Sequence, residues 1–182
     1  MTDSKRVALV TGGGAGIGEA TCLRLARGGM AVGVLGRRIA NAQVVADAIV
    51  AAGGTALAVE ADVADRAAVE RAVATVRAKL GPITVLVNNA GIEEFTPFAE
   101  IDDQAWDRVM AVNLKGSYIA TQAVLRDMLA AGWGRIVNLT ALGAQIGAAN
   151  MVHYTASKGG VTAMTRSLAV ELGPKGITVN AV

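Results

Sequence analysis

Short runs rich in Val, Leu and Ile alternate along this chain with longer Ala-rich stretches whose apolar positions recur at helical spacing. The short runs predict strands near Val7–Val10, Ala31–Leu35, Ala56–Glu60, Ile83–Val87, Arg135–Leu139 and Ile177–Val182. The longer stretches predict helices over about Ile17–Arg27, Ala40–Ala52, Arg66–Lys79, Asp103–Met110 running on toward Ala130, and Tyr154–Leu172. Gly28-Gly29, Gly53-Gly54, Gly81-Pro82 and Gly173-Pro174 follow helices, where turns belong. Strand followed by helix, repeated, is the pattern of βαβ units. The strands are apolar on both faces, as a parallel sheet covered by helices on each side requires. The last strand pattern runs into Val182 with no closing helix, so the single domain of residues 1–182 reads as a fragment ending inside its sixth strand.

Composition narrows the class. With 182 residues, 53% apolar and 18% charged, the chain has material for one substantial core and none of the character of a disordered segment. Aromatic residues make up only 3%, so the core is built from Ala, Val, Leu and Ile, and helices should lie close on strands. A net charge of +2 gives no argument for nucleic acid or a membrane surface as partner. The start lacks a signal peptide's apolar stretch, and no apolar run approaches the ~18 residues of a membrane span. Cys22 is the only cysteine; it falls in the apolar register of the first helix and reads as core, which suits a reducing, cytoplasmic setting.

Two patterns carry chemistry. Thr11-Gly12-Gly13-Gly14-Ala15-Gly16-Ile17-Gly18 follows a strand and opens a helix, the context in which glycines form a tight turn and bring backbone N–H groups against a pyrophosphate. No Lys-Ser/Thr pair follows the last glycine, so this is no Walker loop. Tyr154 and Lys158 stand four apart in Tyr154-Thr155-Ala156-Ser157-Lys158 and share a helix face. An ammonium beside a phenol favours the phenolate and lowers the tyrosine pKa, suiting it to general acid/base work. No His/Cys/Asp/Glu group has metal-ligand spacing, so no metal is expected.

With the Gly-x-x-x-Gly-x-Gly spacing, Asn88-Asn89-Ala90-Gly91, Asn113 and Tyr154…Lys158 in this order, the chain resembles the short-chain dehydrogenase/reductase family over essentially its whole length. The resemblance implies a Rossmann-type doubly wound parallel sheet in three layers, a nicotinamide cofactor and reversible carbonyl/alcohol chemistry. It implies that Thr11, Gly12, Gly16, Ile17 and Gly18 cradle the cofactor, and that Asn89, Ala90 and Gly91 line its cleft. Asp62 and Val63 resemble the adenine-contacting pair, although Asp62 equally suits a helix cap before Arg66. By the same resemblance Tyr154 protonates the carbonyl oxygen, Lys158 tunes it and holds the nicotinamide ribose, and Asn113 supports a water-linked proton path. His153, beside the tyrosine, reads as a rim or packing residue, and Trp106 and Trp133 as packing or surface aromatics.

Cofactor choice turns on Leu35-Gly36-Arg37-Arg38. An NAD site places a carboxylate at the end of the second strand for the ribose 2′-OH; an NADP site places cations there for the 2′-phosphate. Gly36 stands where the acid belongs, and Arg37, supported by Arg38, offers guanidinium–phosphate pairing, so NADP is expected in preference to NAD. The family's serine at the end of the fifth strand has no clear counterpart. Counting from Asn138 or back from Tyr154 gives Ala141; counting back from Gly143 gives Thr140, which carries a hydroxyl. Family members continue through a lid and a last strand that helps form the oligomer, and these 182 residues include neither. The reading is an NADP-preferring oxidoreductase for a small alcohol or ketone, with Asn113, Thr140, Tyr154 and Lys158 as catalytic residues and a homo-oligomer as the full-length form. Its rivals are an inactive cofactor-binding fragment or pseudoenzyme, and an epimerase or dehydratase that retains its cofactor.

Overall fold

The computed structural model describes residues 6–182. Six strands, β1 (Val7–Thr11), β2 (Ala31–Gly36), β3 (Thr55–Glu60), β4 (Ile83–Asn88), β5 (Gly134–Asn138) and β6 (Ile177–Ala181), form one sheet in the order β3-β2-β1-β4-β5-β6. Every pairing is parallel. Successive strands step outward one way from β1 to β3 and the other way from β4 to β6. The order therefore reverses between β1 and β4, the switch point at which open α/β sheets leave a crevice.

Helices α1 (Gly16–Arg27) and α2 (Ile39–Ala51) cover one face, packing Cys22, Val45 and Ile49 on Val10, Val32 and Val34. Helices α3 (Arg66–Leu80), α5 (Gly116–Ala131) and α7 (Val152–Leu172) cover the other, around Leu9, Leu86 and Ile136. The sheet and its two helical layers are the doubly wound, Rossmann-type architecture that the family resemblance implies, and they bear out the covered parallel sheet read from the alternating pattern. Small residues set the spacing: a Cβ on Gly33 of β2 would lie 3.0 Å from Val76 of α3. Burial pushes the Cys22 thiol up to about 12, so it stays neutral and acts as a small apolar side chain.

The long helix after β4 is not uniform. Helix α4 (Asp103–Met110), capped by the Asp102 carboxylate, passes through a π-helical turn at Ala111–Lys115 into α5. Asn113 lies in that turn, a kind of bulge that widens a helix locally and recurs at functional sites. Further along α5, buried Asp127 accepts from Arg77 Nε at 2.9 Å and from the Ile83 backbone N–H at 3.0 Å, bolting α3, α5 and β4 together. Between β5 and α7 the chain makes a four-residue helix, α6 (Gly143–Ile146), which the apolar pattern does not show because it is exposed. Among the described residues no helix is long and apolar enough to cross a membrane, and no group of His, Cys, Asp and Glu is placed to hold a metal.

Candidate active site

The glycine turn joins β1 to α1 at the switch point. Gly12 and Gly16 have φ of +64° and +55°, the left-handed region that favours glycine. Gly18 is required by contact instead: a Cβ there would collide with the Gly12 carbonyl oxygen and lie 2.5 Å from Asn89 Nδ2. Asn89 donates from Nδ2 to the carbonyls of Thr11 (3.0 Å) and Gly12 (3.1 Å), while Thr11 Oγ1 accepts from the N–H groups of Asn89 (3.0 Å) and Ala90 (3.1 Å). Thr11, Gly18 and Asn89 thus hold the turn from beneath. On its outer side nothing lies within 4 Å of a Cβ built on Gly16, and no side chain caps α1. Uncapped N–H groups at the positive end of a twelve-residue helix, facing open space, fit the phosphates of a dinucleotide. Ile17 stands exposed in the first turn of α1.

From this turn an open cleft of about 210 Å³ runs over the ends of β2 and β3 to the loop after β4. Gly36, Arg37, Arg38, Asp62, Val63 and Gly91 all line it. Both arginines are exposed, and neither has an ion-pair partner among the described residues. Asp62 is not the cap of α3. Asp65 caps it, accepting from Ala68 N–H at 3.1 Å, whereas Asp62 Oδ1 accepts from Ala64 N–H at 2.9 Å and turns the chain beside the cleft.

At the far end of the cleft Asn113, buried in the π turn, accepts from Ile92 N–H at 2.8 Å. Its Nδ2 donates to the Ile92 carbonyl (2.9 Å) and to Ser157 Oγ (3.0 Å), and its own carbonyl accepts from Ser117 Oγ at 2.9 Å. A Cβ on Gly91 would meet Asn113 Oδ1 at 3.3 Å and Lys158 Nζ at 3.6 Å, so these groups crowd one spot. Lys158 is buried and donates to the Leu139 carbonyl at 2.7 Å; its Nζ lies 5.8 Å from the Tyr154 ring centroid. Burial holds the Lys158 pKa down against the opposing pull of Glu93, and burial together with the Glu93 carboxylate holds the Tyr154 phenol up. The sequence argument predicted a lowered phenol. The structure differs because the ammonium is directed at a backbone carbonyl, which leaves desolvation in command.

A family model for short chain dehydrogenases matches residues 6–182. The chain belongs to that family. Short-chain reductase protein NovJ of Streptomyces niveus is 46% identical over 97% of this chain and 67% of its own length. A 3-oxoacyl-[acyl-carrier-protein] reductase of Synechocystis is 42% identical over 97% of this chain and 72% of its own. A solved metagenomic short-chain oxidoreductase, in complex with NADP, superposes with a TM-score of 0.92 at 36% identity, over 97% of this chain and 80% of that one. The chain is accordingly an NAD(P)-dependent oxidoreductase of the short-chain dehydrogenase fold.

For this short-chain dehydrogenase the position of the usual serine is the informative departure. Thr140 donates from Oγ1 to the Val182 carbonyl at 3.0 Å, and its backbone N–H bonds the same oxygen at 2.7 Å, so its hydroxyl proton is directed along β6. Ala141 offers only its backbone. His153 is wholly buried, a packing residue and not a rim one; neither ring nitrogen finds a partner, and Nε2 lies 4.0 Å from Glu94 Oε2. Sequence reasoning missed Ser157, although its place between Tyr154 and Lys158 put it on the neighbouring face. It also missed the buried chain in which Asn88 Nδ2 donates to Asn138 Oδ1 (2.8 Å) and Asn138 Nδ2 to Thr165 Oγ1 (2.8 Å), tying the ends of β4 and β5 to α7. Polar residues closing apolar strands were the signal for it.

Proposed function

We propose that this short-chain dehydrogenase transfers hydride between NADP(H) and a small alcohol or ketone, with Tyr154 as general acid/base. One observation carries the reading: a single cleft has unpaired Arg37 and Arg38 beside Gly36 at one end, and at the other reaches Gly91, whose neighbours are Asn113 and Lys158. The relative of known structure that binds NADP supports the choice of cofactor. When bound, NADPH supplies the hydride that reduces the carbonyl carbon. Tyr154, a phenol and so protonated near neutral pH, gives its hydroxyl proton to the carbonyl oxygen as the C=O double bond becomes a C–OH group. Lys158 stabilises the phenolate that results and also reaches the cofactor's ribose. Asn113 fixes the Ile92 backbone and so the wall of the cleft. Arg37 and Arg38 hold the 2′-phosphate, and Asp62 with Val63 contacts the adenine. We read the assembled enzyme as a cytoplasmic homo-oligomer.

A second reading is favoured by the engaged Thr140 hydroxyl and by Ala141: a cofactor-binding protein with little turnover. NADPH consumption against a panel of neutral ketones separates the two, and stoichiometric consumption also excludes an epimerase or dehydratase. Tyr154→Phe should lower turnover by about 10² or more while leaving NADPH binding intact. Wild-type turnover in that variant refutes the acid/base role. Ala141→Ser tests the second reading: a large gain in turnover shows a vacant serine position, and no gain leaves Thr140 or the backbone in that role.

A further inference from the structure

Glu93 follows directly on the segment that Asn113 clamps. Ile92 is held to Asn113 through both its backbone groups, and Gly91 abuts Lys158. On the other side Glu94 is gripped in bidentate fashion by Arg108, at 3.0 Å to Nε and 2.8 Å to Nη2, and Thr96 N–H bonds the Asn150 carbonyl at 2.8 Å. The loop is therefore pinned before and after Glu93. Its neighbour Glu94 lies 4.0 Å from His153, the residue preceding Tyr154. The charged and titratable groups gathered here are Lys158, Tyr154 and His153 on α7, Arg108 on α4, Asp102 at the start of α4, and Glu93 and Glu94 on the loop. Arg108 neutralises Glu94, and Lys158 is turned to a carbonyl. Glu93, Asp102 and Arg108 are exposed, and of these Glu93 has no hydrogen-bond or ion-pair partner among the described residues.

We propose that Glu93 is a specificity-determining residue: a fixed, uncompensated carboxylate at the mouth of the site that favours substrates carrying a cationic amine near the reacting carbon and rejects those carrying a carboxylate or phosphate there. This rests on Tyr154 being the proton donor proposed above. The Glu93 charge acts on both the Tyr154 phenol and the Lys158 ammonium, so a charged group on a substrate bound at Tyr154 lies within its field. Against a cationic substrate the carboxylate gains the partner that the protein withholds; against an anionic one it repels at short range. The clamps hold the backbone on both sides of Glu93, so the carboxylate stays tethered beside the mouth.

The test uses three ketones of similar size, one neutral, one bearing an amine and one a carboxylate, assayed with NADPH on wild type, Glu93→Gln and Glu171→Gln. Glu171, exposed near the other end of α7, controls for net charge. Glu93→Gln should reduce the amine-to-carboxylate ratio of kcat/KM by roughly tenfold at low salt, less at high salt, and Glu171→Gln should leave it unchanged. Glu93→Asp should keep most of the preference. An equal ratio in wild type and Glu93→Gln overturns the proposal. A second reading needs no turnover: absorbance titration of Tyr154, taken as the difference from a Tyr154→Phe background, should shift to lower pH in Glu93→Gln, because removing an anion eases formation of the phenolate. An unmoved titration overturns the proposal as well. Failure of the neutral ketone in wild type counts against the oxidoreductase reading and leaves Glu93 to be decided by the titration.

Discussion

On the proposed reading Gly36 bears on cofactor choice, and packing does not require a glycine there. A Cβ built on it would lie 3.6 Å from Ala42 Cβ and 3.7 Å from the Arg38 carbonyl, ordinary contact distances, and its backbone lies outside the left-handed region. A side chain therefore fits there without steric cost. Gly36→Asp should fold normally and accept from a ribose 2′-OH while repelling a 2′-phosphate. The NADPH-to-NADH affinity ratio should fall by about 10² or more. Arg37→Ala should weaken NADPH alone, by ~1–3 kcal/mol, the scale of a charge-assisted hydrogen bond. Binding titrations with both cofactors read these changes, and an unaltered ratio in both variants refutes the assignment of this end of the cleft. That Gly36, Arg37 and Arg38 meet at one cleft was legible in the sequence, because it depends on residue type and spacing. What depends on where a side chain points was not. Tyr154 and Lys158 share a helix as predicted, yet burial, with the Glu93 charge added, shifts the phenol the opposite way while the lysine is turned to the Leu139 carbonyl.

At the scale of elements, alternation of period was enough to place all six strands and the long helices, because each element's buried face is apolar and its ends carry glycine. The π turn at Ala111–Lys115 and the four-residue α6 left no mark in that pattern. The first is a local change of pitch within a helix whose apolar face continues through it; the second is exposed. Nor did periodicity reveal the joint at Asp127, since a lone acid in an amphipathic helix reads as solvated. In the structure this carboxylate is buried, receives Arg77 Nε on both oxygens at 2.9 Å, and closes the Ile83 N–H at the start of β4. Asp127→Asn should therefore lower stability by on the order of 3 kcal/mol, since Arg77 would lose its counter-charge and keep much of its burial. The loss should appear as a lower denaturant midpoint at unchanged slope, with cofactor affinity at the distant cleft unaltered. A neutral result would mean that Arg77 turns to solvent and that the joint holds little.

Over the whole molecule, the proton equilibria of the site feed back on folding. Burial holds the Lys158 pKa below its ordinary value of 10.5. Between the folded value and 10.5 the unfolded chain binds a proton that the folded chain does not, so stability contributed by this group rises with pH through that window. Tyr154 has the opposite effect in a higher range: its pKa is raised above 10.0, so from about 10.0 upward the unfolded chain gives up a proton that the folded chain keeps, and stability falls. Cys22 acts in the same direction as Tyr154 from a lower pH: its thiol is pushed up from 9.0 to about 12, so from about 9.0 upward it opposes the gain from Lys158. Lys158→Met isolates the first effect. Because it also strips the Leu139 carbonyl of its donor, the decisive quantity is the dependence on pH and not the absolute midpoint. The difference in denaturant midpoint between wild type and Lys158→Met should therefore grow with pH through the alkaline range up to 10.5, since Cys22 and Tyr154 act alike in both proteins. Parallel curves would show that Lys158 is hydrated more freely than its burial implies, and that the ammonium remains available to the phenol at no cost to the fold.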